Sequence, residues 1–184
     1  MNNTKSSDWF KGEFNELDPL LRKLHIHGGE LAGPVDINIA TGVAGIIGKQ
    51  IAVKLGIPIN KGEHTLRVSI THKDDGLHWD RCFDKDKLFK STFTPTGTIG
   101  NGYWIESTGS IHLRLTVDIK NGGWYWRTLQ AKLKGFPLPL WLFPKTTAYK
   151  VIENNLYRFY VGISLPVFGE VISYSGLLSA NLNT

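Results

Sequence analysis

From Leu66 to Leu178 apolar and polar residues alternate along the chain, and Gly, Pro, Asn or Asp interrupts the alternation every eight to twelve positions. The clearest stretch is Ile111-His112-Leu113-Arg114-Leu115-Thr116-Val117-Asp118-Ile119, aliphatic on one face and polar on the other. Period-2 alternation of this kind predicts a strand with one dry and one wet face. Strands are predicted near 64–71, 77–84, 87–94, 102–107, 111–119, 123–134, 145–153, 156–164 and 169–179. The connections carry turn chemistry, as in Lys73-Asp74-Asp75-Gly76, Asn121-Gly122-Gly123, Glu153-Asn154-Asn155 and Pro166-Val167-Phe168-Gly169. Links this short make neighbouring strands antiparallel.

Upstream the pattern changes. Residues 1–7 are small and polar and are expected to be a disordered tail. Trp9, Phe10, Phe14, Leu17, Leu21 and Leu24 recur at helical spacing and predict a helix over 8–24, broken in two at Asp18-Pro19. A strand follows near 30–39, then a helix over 42–55 with Thr41 as its cap and Gly56-Ile57-Pro58 as its stop. With the strand before that helix the count is ten, and a sheet that wide curls or closes. The expected fold is mainly β (α+β): a curled antiparallel meander sheet or barrel of about ten strands, with an N-terminal helix and a helix inserted after the first strand. That element order also occurs in small lipid-binding β-barrels, a likeness of arrangement only.

The chain has 184 residues, which suits a single β-rich domain over 8–184. A formal charge of +5, from 21 basic and 16 acidic residues, is mild. The densest basic cluster, Lys85, Lys87 and Lys90, is interrupted by Asp84 and Asp86, so no continuous basic stripe points to nucleic acid. Cys82 is the single cysteine, so an intramolecular disulfide is impossible. Met1–Ser7 lacks the apolar core of a secretory signal, and no window approaches the ~18 apolar residues of a membrane helix. A cytoplasmic location is the simplest expectation.

Few motifs carry chemistry. Gly42, Gly45 and Gly48 follow a strand and open a helix, but their G-x-x-G-x-x-G spacing fits neither a dinucleotide fingerprint nor a P-loop. A flat helix face packing close to the sheet explains them better. His25-x-His27 is the one close histidine pair; without a third ligand nearby it reads as loop or surface, and no metal or cofactor is expected. No nucleophile elbow occurs, and Cys82 within a strand reads as an apolar filler. The informative polar residue is Arg81, which shares a strand face with Leu77, Trp79 and Phe83. Turned inward it would need an anion, either a ligand carboxylate or phosphate or a protein acid such as Glu106; turned outward it is simply solvated. Trp124 and Trp126 present two indoles on one face. The segment 134–144, with Phe136, Trp141 and Phe143, is read as an irregular apolar loop, a mouth flap or a docking surface.

The order of short motifs along the chain adds a resemblance. His25 with Gly28-Gly29, Leu55-Gly56-Ile57-Pro58, Trp79-x-Arg81-x-Phe83 and Glu106-x-x-Gly109 are followed by Gly135-Phe136-Pro137-Leu138-Pro139 with Pro144. Pro166-x-x-Gly169 then precedes Tyr174-x-Gly176-x-Leu178. In this series the chain, over roughly residues 9–179, resembles the bacterial family known as domain of unknown function 4166. The resemblance implies a domain that stands alone or is attached to larger proteins, dehydrogenase-like or membrane ones among them. It implies no catalytic residues.

The functional expectation is a non-enzymatic binding module for a small hydrophobic or lipid-like, anionic ligand. Arg81, Trp79, Phe83, Glu106, Trp126 and Tyr174 are the candidate binding residues. The alternative is an interaction domain docking an oxidoreductase or membrane protein, with 135–144 as the segment that meets a membrane surface or a protein. An enzyme ranks third, and would require Arg81, Glu106 and a histidine within hydrogen-bond distance in one pocket.

Overall fold

The computed structural model describes residues 4–60, 62–84, 88–141 and 143–183. Its elements are α1 (Lys5–Phe10), a 3₁₀ turn (Lys11–Glu16), α2 (Pro19–His27), β1 (Gly29–Ile39) and α3 (Gly42–Leu55). Then come β2 (His64–Lys73), β3 (Gly76–Phe83), β4 (Leu88–Thr96), β5 (Tyr103–Thr108), β6 (Ile111–Lys120) and β7 (Gly123–Leu133). β8 (Phe136–Leu138), β9 (Lys145–Glu153), β10 (Leu156–Leu165) and β11 (Gly169–Leu182) complete the chain.

Ten strands form a closed antiparallel barrel. Neighbours follow chain order from β1 to β7, then β9, β10 and β11, and β11 pairs back onto β1. An even number of up-and-down strands lets the first and last meet antiparallel, which removes both sheet edges. The extra strand is β8, a three-residue return onto the end of β7. It lies inside the 134–144 segment expected to be irregular: Lys134 and Gly135 both take positive φ, so the chain folds back in a primed hairpin turn before it becomes a loop. Leu142 of that segment lies outside the described residues. The Asn121-Gly122 and Asn154-Asn155 turns use the same geometry and join Lys120 to Gly123 and Glu153 to Leu156.

The N-terminus departs from expectation in a definite way. Helix α1 starts at Lys5, within the stretch read as a tail, because Thr4 and Ser7 form a reciprocal capping box; residues 1–3 lie outside the described set. Helicity is interrupted and restarts at α2, where Asp18 accepts from the Leu20 N–H at 2.8 Å and Pro19 occupies the first turn. These segments plug one end of the barrel. Trp9 Nε1 donates to the Thr96 carbonyl at 3.2 Å, Ile99 N–H to Trp9 at 2.7 Å, and Asp18 N–H to Gly122 at 2.9 Å. Inside, Trp9 and Phe10 meet Trp104 and Trp124 edge to face. Leu21 and Leu24 are fully buried beneath them.

Helix α3 packs on β11 at the opposite end. Gly48 is the contact point: a Cβ there would lie 2.2 Å from the Val171 carbonyl oxygen, so only glycine permits the approach. The glycine run thus serves packing, as its spacing suggests. Near α3, Asp84 clasps β2 to β3. Its carboxylate accepts from the Thr65 N–H at 2.8 Å and meets His64 Nδ1 at 2.5 Å. No helix among the described residues is long and apolar enough to cross a membrane.

Two predictions concern stability. Phe10→Ala empties a filled position in the plug and is expected to cost about 3–5 kcal/mol in denaturant unfolding. The second concerns the clasp. Its hydrogen bond to Asp84 holds His64 above the ordinary histidine value, while the Thr65 N–H, aided by His64, holds Asp84 below the ordinary carboxylate value. The His64 contribution is full below about pH 6.5, its unfolded value, and is lost as pH rises through the higher folded value. The Asp84 contribution is full above about pH 4 and is lost on acidification through the lower folded value. The melting-temperature deficit of Asp84→Asn should therefore peak between these limits and shrink toward alkaline pH. A deficit that grew as pH rose above neutrality would contradict the clasp.

Candidate functional site

The plug fills only one end. In the other half, beneath α3 and the 143–146 segment, the barrel encloses a cavity of about 400 Å³. Leu66, Val68, Phe93, Phe159 and Val161 make most of its wall apolar, and Ile51 and Leu55 of α3 stand at the mouth opposite Phe143 and Pro144. Against these walls stand a few charged and polar side chains.

Alternation along β3 turns Trp79, Arg81 and Phe83 toward the interior. Arg81 Nη1 donates to Ser91 Oγ on β4 at 3.0 Å, and Ser91 Oγ shares a 3.0 Å hydrogen bond with Thr108 Oγ1 on β5. The guanidinium carbon lies 5.9 Å from the centroid of the Phe89 ring. Glu106, also on β5, points into the same cavity. Burial raises its carboxyl above the ordinary glutamate value, with the Arg81 charge and Ser91 pulling the other way. Arg81 makes no ion pair with a carboxylate among the described residues.

A second cation faces the cavity from β9. Lys150 is 5% exposed, with Nζ 4.0 Å from the centroid of Trp124 and 4.3 Å from that of Trp79. It donates to His25 Nε2 at 2.7 Å. The bond of His25 Nδ1 to the Leu21 carbonyl at 2.7 Å assigns the proton to Nδ1 and leaves Nε2 as the acceptor. Burial, reinforced by Lys150, pushes His25 well below the ordinary histidine value. Burial and then the Arg81 charge push Lys150 well below the ordinary lysine value, while the indole faces favour its charged form. Tyr157 and Tyr174 line the cavity too, and burial raises both phenols.

Five of the six side chains selected from sequence, Trp79, Arg81, Glu106, Trp126 and Tyr174, line this one cavity. Phe83 does not; it is buried edge-to-face against Tyr174, at 5.6 Å between centroids. Of the two faces open to Arg81, the structure places it on the inner one. His25 corrects an expectation, because it is a fully buried helix residue rather than a loop or surface one. Its partner is 125 positions away, beyond the reach of local pattern. Lys150 is a site residue that the sequence pattern misses. Its one signal is parity: it alternates with Ala148 and Thr146 on the inner face of β9 and pairs with Trp124 of β7.

Fold and cavity together define a closed ten-stranded antiparallel β-barrel, plugged at one end, with a charged interior pocket open toward the other. The chain belongs to the family described as domain of unknown function (DUF4166), whose model matches residues 17–178. No curated protein and no solved structure matches it.

Proposed function

We propose that the barrel is a binding module for a small hydrophobic molecule that ends in an anionic group, held with its tail against the aliphatic walls and its head at Arg81 and Lys150. The observation that carries this reading is the charge balance of the cavity. Arg81 and Lys150 face it, Lys54 stands exposed at its rim, and Glu106 is the one carboxylate among the described lining residues. Cations in an apolar enclosure are costly unless an anion joins them, and burial lowers Lys150 by that same effect, so an anionic ligand would favour its charged form. Burial favours the neutral form of Glu106, so it is a weak counter-ion, and a carboxylate, sulfonate or phosphate on the ligand would serve better. The cavity volume falls within the range of small-molecule sites, and its few polar groups converge from β3, β5, β9, β10 and β11. The His25 ring bonds Lys150 and Leu21 and not Arg81 or Glu106, so its part in this reading is to position Lys150.

Native mass spectrometry of the purified protein tests the reading directly: an anionic amphiphile should co-purify. Arg81→Met should leave the melting temperature close to wild type, because Arg81 is half-buried and makes no ion pair among the described residues, yet weaken binding of a fluorescent fatty acid by about tenfold or more. Unchanged affinity would refute the role of Arg81.

Binding should also depend on pH through Glu106, which faces Arg81 and Tyr174 in a cavity shared with Lys150 and Tyr157. Ionised Glu106 repels an anionic head. A falling pH neutralises it as the raised carboxyl value is crossed, so an alkyl sulfonate, charged throughout, should bind more tightly. In Glu106→Gln that dependence should weaken, the remainder belonging to Lys150, whose lowered value gives the same sign; an unchanged slope would exclude Glu106.

A further inference from the structure

We propose that the open end of the barrel docks on an anionic lipid bilayer. The inference rests on the amphiphile reading only for its purpose, since the bilayer would be where such a ligand is collected or released; the surface itself stands on different side chains.

The two ends of the molecule differ in one respect above all. Among the described residues, nearly all exposed large apolar side chains lie at the mouth; of the others, Leu156 sits at the plugged end and Leu129 along β7. The most exposed of them fall on three segments. The β10–β11 turn carries Val167, fully exposed, and Phe168. The segment after β8 carries Trp141, 74% exposed, near Phe136 at the preceding turn. Helix α3 turns Val43 and Ile46 outward.

Val167 adds an independent observation. Its φ is 71°, a left-handed conformation that a β-branched residue adopts only at a cost. Here it holds an aliphatic side chain clear of the protein, at a turn where Asn or Gly would be relaxed.

Charge selects the partner. Exposed Lys49, Lys54, Lys90, Lys134 and Lys145 ring the same end. Of the acids there, Asp84 is engaged by His64 and Thr65, and Glu170 by Tyr160; Asp80 stands opposite Lys90 across β3 and β4, and Glu63 is also present. Apolar and indole side chains that insert shallowly, fringed by lysines, match the interface of a membrane bearing anionic headgroups. The mouth of the cavity opens between α3 and the segment after β8, so a docked barrel would present its pocket to the lipid.

Sedimentation with vesicles tests this, using phosphatidylcholine alone and phosphatidylcholine mixed with phosphatidylglycerol. The wild-type protein should favour the anionic vesicles by about tenfold or more. Val167→Asp with Phe168→Asp, and separately Lys134→Glu with Lys145→Glu, should each lower that partitioning by about tenfold. Asp accepts a left-handed conformation, so the first pair does not depend on Val167 to fold. Far-UV circular dichroism should be unchanged; if it changes for the turn pair, the lysine pair alone decides the outcome. Absence of vesicle binding, equal binding to neutral vesicles, or variants that bind like wild type would each overturn the proposal. So would capture of a protein partner by the mouth without any vesicle binding. Sulfonate binding measured without vesicles separates the two readings: if it is lost while vesicle binding survives, the ligand reading fails and the docking surface stands.

Discussion

Ring width is the constraint on which the rest of this structure depends. An eight-stranded barrel is about as wide as its own inward side chains can fill, and ten strands enclose more room than that. The protein meets the excess differently at its two ends. The N-terminal helices drive Trp9, Phe10, Leu21 and Leu24 into one end and convert it to solid core. At the other, α3 lies across β11 through the Gly48 contact and covers the rim without filling it. A cavity is what remains. Its position follows from where the helices are attached: one pair precedes β1, and the third leaves β1 at its far end.

Placing charges in that space has consequences for both stability and recognition. Arg81, half-buried, and Lys150, buried, stand among aromatic and aliphatic groups, and for Lys150 burial penalises the charged form. Local contacts hold both: Ser91 for Arg81, and His25 with the Trp79 and Trp124 faces for Lys150. The Lys150–His25 bond also ties the plug to the barrel wall, since His25 belongs to α2 and Lys150 to β9. The floor of the cavity and the fastening of the plug are thus one set of side chains. A change in the charge state of Lys150 would be felt by both.

Much of this is legible in the chain. Period-2 alternation locates ten strands and their turns, and α3 spans the 42–55 expected for it. Arg81 stands out because it breaks an apolar face. Lys150 does not: β9 reads Lys145-Thr146-Thr147-Ala148-Tyr149-Lys150, with polar residues on both faces, so its pattern does not announce an interior. His25 escapes local pattern because its burial comes from Trp124 stacked on its ring, at 4.3 Å between centroids, and from a lysine on a distant strand. The start of α1 resembles a tail because Thr4 and Ser7, small polar residues typical of disorder, are also the residues that cap a helix.

The sequence by itself determined the strands, their antiparallel order and the break at Asp18-Pro19, because these depend on neighbours within a few residues. Only the tertiary structure decided that the sheet closes, through the pairing of β1 with β11. With closure came an inside. That is why the side of β3 bearing Arg81 could be identified from sequence as one face but not as the inner one. Which face is inner depends on where β11 returns and what the N-terminal helices fill, and both are contacts across most of the chain's length.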